Sequence, residues 1–130
     1  MPQDTDRTRR TVLVADDEPY IGRIIQLKLE DGPYQVLLAH DGREALELLR
    51  SERTFDLVLL DIMMPHMSGL DVLREMRQLP HRGQTPVIML TAKGQEADRE
   101  NASRYGATDF LTKPFSPKKL LARIDQLFRE

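Results

Sequence analysis

Five short apolar runs, each followed by a stretch with helical spacing, restrict this chain to few folds. The runs are residues 12–15, 36–39, 57–60, 87–90 and 107–111. They are rich in Val, Leu and Ile, and the first four are nearly continuous. A strand wetted on one face alternates apolar with polar residues. A strand covered on both faces does not, so these runs read as parallel strands inside a layered domain. Between them, Ile21, Ile24, Ile25 and Leu29 form one helical stripe, and Ala45, Leu46 and Leu49 a second. Val72, Leu73 and Met76 form a third, and Leu120, Leu121, Ile124, Leu127 and Phe128 the clearest. Each needs the spacing that gathers apolar residues on one side of a helix.

Two helix starts carry their own signals. Ser68 with Asp71 three residues on has the form of a capping box, and Ser116 stands before Pro117, a proline suited to the first helical position. The stretch 95–105 is polar, with alanines for an inner face, and Gly106 is its natural stop. The reading is an α/β fold: βα repeated five times, an open parallel sheet with helices on both faces. Residues 1–10, MPQDTDRTRR, lack periodicity and read as a disordered tail, leaving residues 11–130 as one domain.

Composition excludes several classes. With 40% apolar and 31% charged residues the chain is an ordinary globule, and a net charge of −2 gives no general reason to bind nucleic acid. No run spans a membrane and no signal-peptide pattern is present. Without cysteine there is no disulfide, thiolate metal site or thiol nucleophile, which fits a cytoplasmic protein.

The chemistry is concentrated at strand ends. In an open parallel sheet, ligands bind beyond the carboxyl ends of the strands, where strand order reverses. The first run ends in Asp16 and Asp17, the third in Asp61, the fourth in Thr91, and the fifth two residues before Lys113. Taken singly, each has a plain explanation: a helix cap for Asp17, a turn for Asp61, a strand end for Thr91, a solvated lysine for Lys113. In the strand order 2-1-3-4-5, however, the first and third strands are neighbours and their acids converge. Adjacent buried carboxylates are costly unless paired or bound to a cation. Asp16, Asp17 and Asp61 then make an oxygen-rich site for a hard divalent ion, Mg²⁺ first of all, with Mn²⁺ as the alternative.

The stretches VLVADDEP, LVLLDIMMPHMSGL, VIMLTAK and GATDFLTKPFSP, in that order and spacing, resemble the receiver domain of two-component response regulators over nearly the whole chain. The resemblance implies a single doubly wound, flavodoxin-like domain with a five-stranded parallel sheet and five helices. It implies that Asp61 accepts a phosphoryl group from a sensor histidine kinase or phosphotransfer protein. Asp17, Asp61 and the backbone carbonyl of Met63 would hold Mg²⁺, with Asp16 acting through water. Lys113 and Thr91 would contact phosphoryl oxygens, and the Lys113–Pro114 bond would be cis. Phe110 falls at the family's aromatic switch position, and equally suits a half-exposed core aromatic. Met63 and Lys93 stand where side chains tune dephosphorylation.

The output would be a change in the helix 4–strand 5–helix 5 face, read by a downstream effector domain or protein. The chain would be a signalling domain rather than an enzyme, assisting its own aspartyl phosphorylation and dephosphorylation. It could be a complete regulator or the receiver of a longer protein. In related dimers opposite charges pair across that face. Asp109, Arg99 and Arg123 keep the pattern, whereas Lys119, Tyr105 and Glu130 depart from it. A monomer is therefore expected before phosphorylation, and at most a weak dimer after it.

Three rivals are weaker. A phosphatase using an aspartyl phosphate commonly has a second acid two residues after the nucleophile, where this chain has Met63. A dinucleotide enzyme needs a glycine-rich loop after the first strand, where this chain has acids. A receiver-like module binding partners without phosphorylation should have lost one of Asp16, Asp17, Asp61, Thr91 or Lys113, and all are present.

Overall fold

The computed structural model describes residues 9–92 and 96–129, with the Glu96 side chain left out. The elements alternate without exception: β1 (Arg10–Ala15), α1 (Pro19–Glu30), β2 (Tyr34–Ala39), α2 (Gly42–Arg50), β3 (Leu57–Asp61), α3 (Gly69–Met76), β4 (Val87–Thr91), α4 (Glu96–Arg104), β5 (Asp109–Thr112) and α5 (Pro117–Leu127). All strand pairs are parallel, in the order β2-β1-β3-β4-β5. No described helix is long and apolar enough to cross a membrane.

The continuous apolar runs are explained by the two layers they feed. Leu13, Ala15, Val58, Leu60, Val87 and Met89 face one core, with Ala45 and Leu49 of α2, Val72, Leu73 and Met76 of α3 and Ala102 of α4. Their neighbours in sequence, Val12, Val14, Leu57, Leu59, Ile88 and Leu90, face the other, with Ile25 and Leu29 of α1 and Leu120 and Ile124 of α5. Side chains alternate across a strand, so positions of the central strands that lie between the two layers are apolar, and polar residues are left to the strand ends.

Some boundaries differ from the sequence reading. The first strand begins at Arg10, inside the expected tail, because Arg10 pairs with Tyr34 and its amide donates to the Pro33 carbonyl. Ile24 belongs to the solvent face of α1, 44% exposed, since the buried line runs Ile25 to Leu29 one helical turn apart. The fifth strand starts two residues later than its apolar run. Gly106, at φ +91°, follows the last turn of α4, and Thr108 is occupied by a pair of bonds to Val87. Ala102 is buried as expected of an inner face, whereas Ala97 is exposed. Gln95, the expected start of that helix, lies outside the described residues.

The two cap signals hold. The Asp71 amide donates to Ser68 Oγ at 3.2 Å and the Lys119 amide to Ser116 Oγ at 3.0 Å. The reciprocal half of the Ser68 box does not form, because the Asp71 carboxylate turns to Arg74 instead. A third cap has the same logic at Asp41, which accepts from the Glu44 amide at 2.8 Å while Glu44 accepts from the His40 amide at 2.7 Å. Its signal, Asp41-Gly-Arg-Glu44, is a legible capping pattern that the sequence reading passed over.

Candidate functional site

Strand β1 sits between β2 and β3, so the chain leaves it in opposite directions along the sheet. The crevice beyond the carboxyl ends of β1 and β3 is therefore the switch point where ligands bind in this architecture. Carboxylate oxygens of Asp16, Asp17 and Asp61 all lie within 4.8 Å of one another there. Asp16 and Asp61 are 3% and 5% exposed, whereas Asp17 faces solvent. An all-oxygen set of this charge fits a hard divalent cation.

Lys113 reaches into this cluster from beyond β5. Its ammonium donates to Asp16 Oδ2 at 3.0 Å and to Asp61 Oδ2 at 3.1 Å. Glu18 Oε1 lies 3.5 Å away, an acid the sequence reading did not place in the site. The second oxygen of Asp16 accepts from the Glu18 amide at 2.9 Å, which fixes that carboxylate against the chain's exit from β1. The Lys113–Pro114 bond is cis.

The electrostatics are unbalanced. Burial pushes the Asp61 carboxyl up, to about 7, and the charge of Asp16 pushes the same way; Lys113 opposes both and does not win. Burial likewise works against the Lys113 ammonium, but its bonds to Asp16 and the charge of Asp61 leave it raised above the usual lysine range. One cation is therefore shared among several acids. A bound divalent ion would supply the missing charge and return Asp61 to its ionised form.

The loop after Asp61 is held by close backbone approach. The Gly69 amide donates to the Ile62 carbonyl at 2.9 Å, and a Cβ at Gly69 would lie 2.2 Å from the Asp61 carbonyl oxygen. On the other side, a Cβ at Gly42 would lie 1.9 Å from the Met67 carbonyl oxygen. Only hydrogen fits at either place, so these two glycines seat the loop that follows the acid. Within it His66 has φ 69° and lies 3.1 Å from Asp41, tying the loop to the α2 cap. Met63 presents a side chain 65% exposed. Lys93 lies outside the described residues.

Thr91 is fully buried at the end of β4, its hydroxyl 3.5 Å from the Thr112 hydroxyl across the β4–β5 pair. Phe110 is half-buried on the neighbouring strand with the Arg99 guanidinium 4.8 Å from its ring centre. Asp109 and Arg123 form an ion pair with each other within the chain.

The pattern of the response regulator receiver domain matches residues 12–125. The chain belongs to the response regulator receiver family. This receiver is 45% identical over 118 residues to the transcriptional regulatory protein CpxR of Klebsiella pneumoniae, a match covering 91% of this chain and 49% of that protein. It is 40% identical over 120 residues to the alkaline phosphatase synthesis transcriptional regulatory protein PhoP of Bacillus subtilis, covering 92% and 49%. The chain thus spans about half the length of the curated relatives it matches. Among solved structures, the receiver superposes on the chemotaxis response regulator CheY4 of Vibrio cholerae with a TM-score of 0.87 at 33% identity, covering 93% of this chain and 100% of that one. It is also similar to the receiver domain of the sensor histidine kinase PA1611 of Pseudomonas aeruginosa, with a TM-score of 0.82 at 30% identity, covering 91% and 96%. That domain was solved with a magnesium ion coordinated in its active site cleft.

Proposed function

We propose that Asp61 accepts a phosphoryl group from a phosphohistidine of a sensor kinase or phosphotransfer protein. The observation that carries this reading is the convergence of Asp16, Asp17, Asp61 and Lys113 at the β1–β3 switch point. An Asp61 oxygen attacks phosphorus in line, the P–N bond breaks, and the electron pair leaves with the imidazole, which takes up a proton. Asp17, Asp61 and the Met63 carbonyl would hold the metal, with Asp16 acting through water. Mg²⁺, when bound, neutralises charge on the transferring group. The magnesium in the similar PA1611 domain supports that assignment.

Lys113 then has a second role. Its ammonium, which bonds Asp16 and Asp61 directly, would pair with a phosphoryl oxygen once Asp61 is phosphorylated. The Thr91 hydroxyl would leave Thr112, its weak partner at 3.5 Å, for another phosphoryl oxygen. Both contacts exist only in the phosphorylated state, so both bias the equilibrium of the segment that carries them. Thr91 and Phe110 would carry the change to the face formed by α4, β5 and α5, for an effector to read. Arg99 and Lys119 put like charges where related dimers pair opposite ones, so the receiver is proposed to be a monomer before phosphorylation and a weak dimer at most afterwards.

The test is incubation with acetyl phosphate and Mg²⁺ followed by intact-mass analysis. One added phosphoryl group, absent in Asp61→Asn and in excess chelator, is the expected result. Equal labelling in either control contradicts the reading.

A further inference from the structure

A cleft of about 500 Å³ lies at the amino ends of β4 and β5, at the opposite end of the sheet from the acid cluster. It opens between the α3–β4 connection and the turn that joins α4 to β5, and no residue of α5 lines it. Two arginines from different helices meet there: Arg77, the C-cap of α3, and Arg104, in the last turn of α4. Gln84, Tyr105 and Thr108 add neutral polar groups. Among the described residues that line it there is no carboxylate, although acids outnumber basic residues in the chain by 21 to 19.

Arg77 is fixed in place by neutral partners. Its Nη1 donates to the Arg82 carbonyl at 2.9 Å and to the Thr85 carbonyl at 2.7 Å, and its Nη2 donates to the Gly106 carbonyl at 2.8 Å. A guanidinium has more N–H groups than these bonds use. The remainder, on Nε and Nη2, have no partner among the described residues. Burial pulls Arg77 down from the usual arginine range, and no anion opposes it. Gly106 permits the close approach: it has φ +91°, and a Cβ there would lie 3.1 Å from Arg77 Nε. Arg104 is exposed and makes no ion pair among the described residues. Thr108 Oγ1 accepts from the Val87 amide at 3.0 Å, so its own proton remains to be donated. A helix C-terminus favours a cation, which accounts for each arginine singly. It does not account for two such ends sharing one cleft without a counter-ion.

We infer that this cleft binds a small organic phosphate, recognised as a phosphomonoester dianion. Its two negative charges match Arg77 and Arg104, whose forked donors suit phosphoryl oxygens. Its three terminal oxygens leave one for the Thr108 hydroxyl. The volume is that of a small-molecule site, so a sugar or nucleoside body fits beside the phosphoryl group. A peptide carboxylate carries one charge and would leave one arginine unmet. A nucleic-acid backbone offers diesters, each with a single charge, to a chain whose net charge is −2. The site is independent of the proposed phosphotransfer, since it shares no residue with the acid cluster.

The probes are AMP and glucose-6-phosphate, each titrated into metal-free, ¹⁵N-labelled receiver and followed by amide chemical shifts. Without metal the acid cluster repels phosphate, so Asp61 takes no part and failed phosphotransfer leaves this result readable. At least one ester should bind about tenfold or more tighter than its phosphate-free counterpart, adenosine or glucose, and than inorganic phosphate. The tighter ester tells whether a nucleoside or a sugar carries the phosphoryl group. The largest shifts should fall at Gly83, Gln84, Gly106 and Thr108. Arg104→Glu, an exposed change whose spectrum reports its own folding, should weaken binding about tenfold or more, and Arg104→Lys should retain part of the affinity. Absence of saturable binding by either ester overturns the inference. So does inorganic phosphate binding as tightly as both esters, unchanged affinity in Arg104→Glu, or shifts centred on Asp16, Asp17 and Asp61.

Discussion

Lys113 Nζ lies 3.1 Å from Asp61 Oδ2, and the same ammonium is 3.0 Å from Asp16 Oδ2. One side chain thus holds two buried acids that would otherwise repel each other. The lysine is both a structural counter-ion and a proposed ligand of the phosphoryl group, and the two roles compete for the same three N–H donors.

The first prediction follows from that shortage of positive charge. In chelator at neutral pH, Asp61→Asn should stabilise the receiver by on the order of 1 kcal/mol, because it removes one of two like buried charges. That corresponds to a rise in Tm of roughly 3–5 °C for a domain of this size. Lys113→Met should do the opposite and cost about 3 kcal/mol, the low end for breaking a buried pair, since Asp61 escapes part of its charge by taking up a proton. Thermal unfolding of the three proteins side by side gives the comparison.

The raised Asp61 carboxyl also sets a pH dependence. Its ordinary value is 3.8 and its folded value about 7. The folded state therefore holds an extra proton between these limits. The stabilisation is complete below about 4 and is lost as pH rises through 7. In chelator, the stability advantage of Asp61→Asn over the parent should grow from pH 5.5 to pH 8. Added Mg²⁺ competes with that proton, so its stabilisation of the parent should grow over the same interval. An unfolding midpoint measured at both pH values, with and without Mg²⁺, checks each trend.

Gly69 makes a third test, because its packing is against backbone rather than a movable side chain. Gly69→Ala places a methyl group 2.2 Å from the Asp61 carbonyl oxygen. The loop must shift, at a cost of about 1–3 kcal/mol. A shifted loop also moves the Met63 carbonyl, so Gly69→Ala should lose most of its stabilisation by Mg²⁺. Calorimetric titration with Mg²⁺ separates that loss from simple destabilisation.

Much of this was legible in the sequence, and the reasons are physical. Valine- and leucine-rich runs reveal strands buried on both faces, and the order of βα units leaves few topologies, so the fold and the carboxyl-end acids could be read together. Ile24 was assigned to the inner stripe and lies outside it, because an apolar residue one position from a buried line can fall on either side of a helix. Glu18 was missed for a different reason. Its approach to Lys113 depends on how the chain turns out of β1, which no periodicity records. Arg82 was missed for a third. It is buried, donates to the carbonyls of Leu49, Ser51 and Arg53, and lies 5.0 Å over Phe55, yet as a lone arginine in a polar connection it has no pattern to announce it.

The lifetime of the phosphorylated state gives a fourth prediction. Met63 is exposed and apolar, and beside the proposed line of attack by water it would shield the phosphoryl group without orienting a nucleophile. Met63→Asn should accelerate loss of phosphate. A tenfold increase requires only about 1.4 kcal/mol off the barrier, within reach of one positioned water. The first-order decay of purified phosphoprotein in Mg²⁺, without kinase, measures it.

The identity of the phosphoacceptor is the centre of the account, and reductive trapping tests it most directly. Borotritide reduces an aspartyl phosphate to homoserine and leaves an unmodified carboxylate alone. After phosphorylation with acetyl phosphate and Mg²⁺, proteolysis and peptide mapping should find the tritium at residue 61 alone. Label at Asp16 or Asp17, or a phosphoprotein that resists reduction, would contradict it.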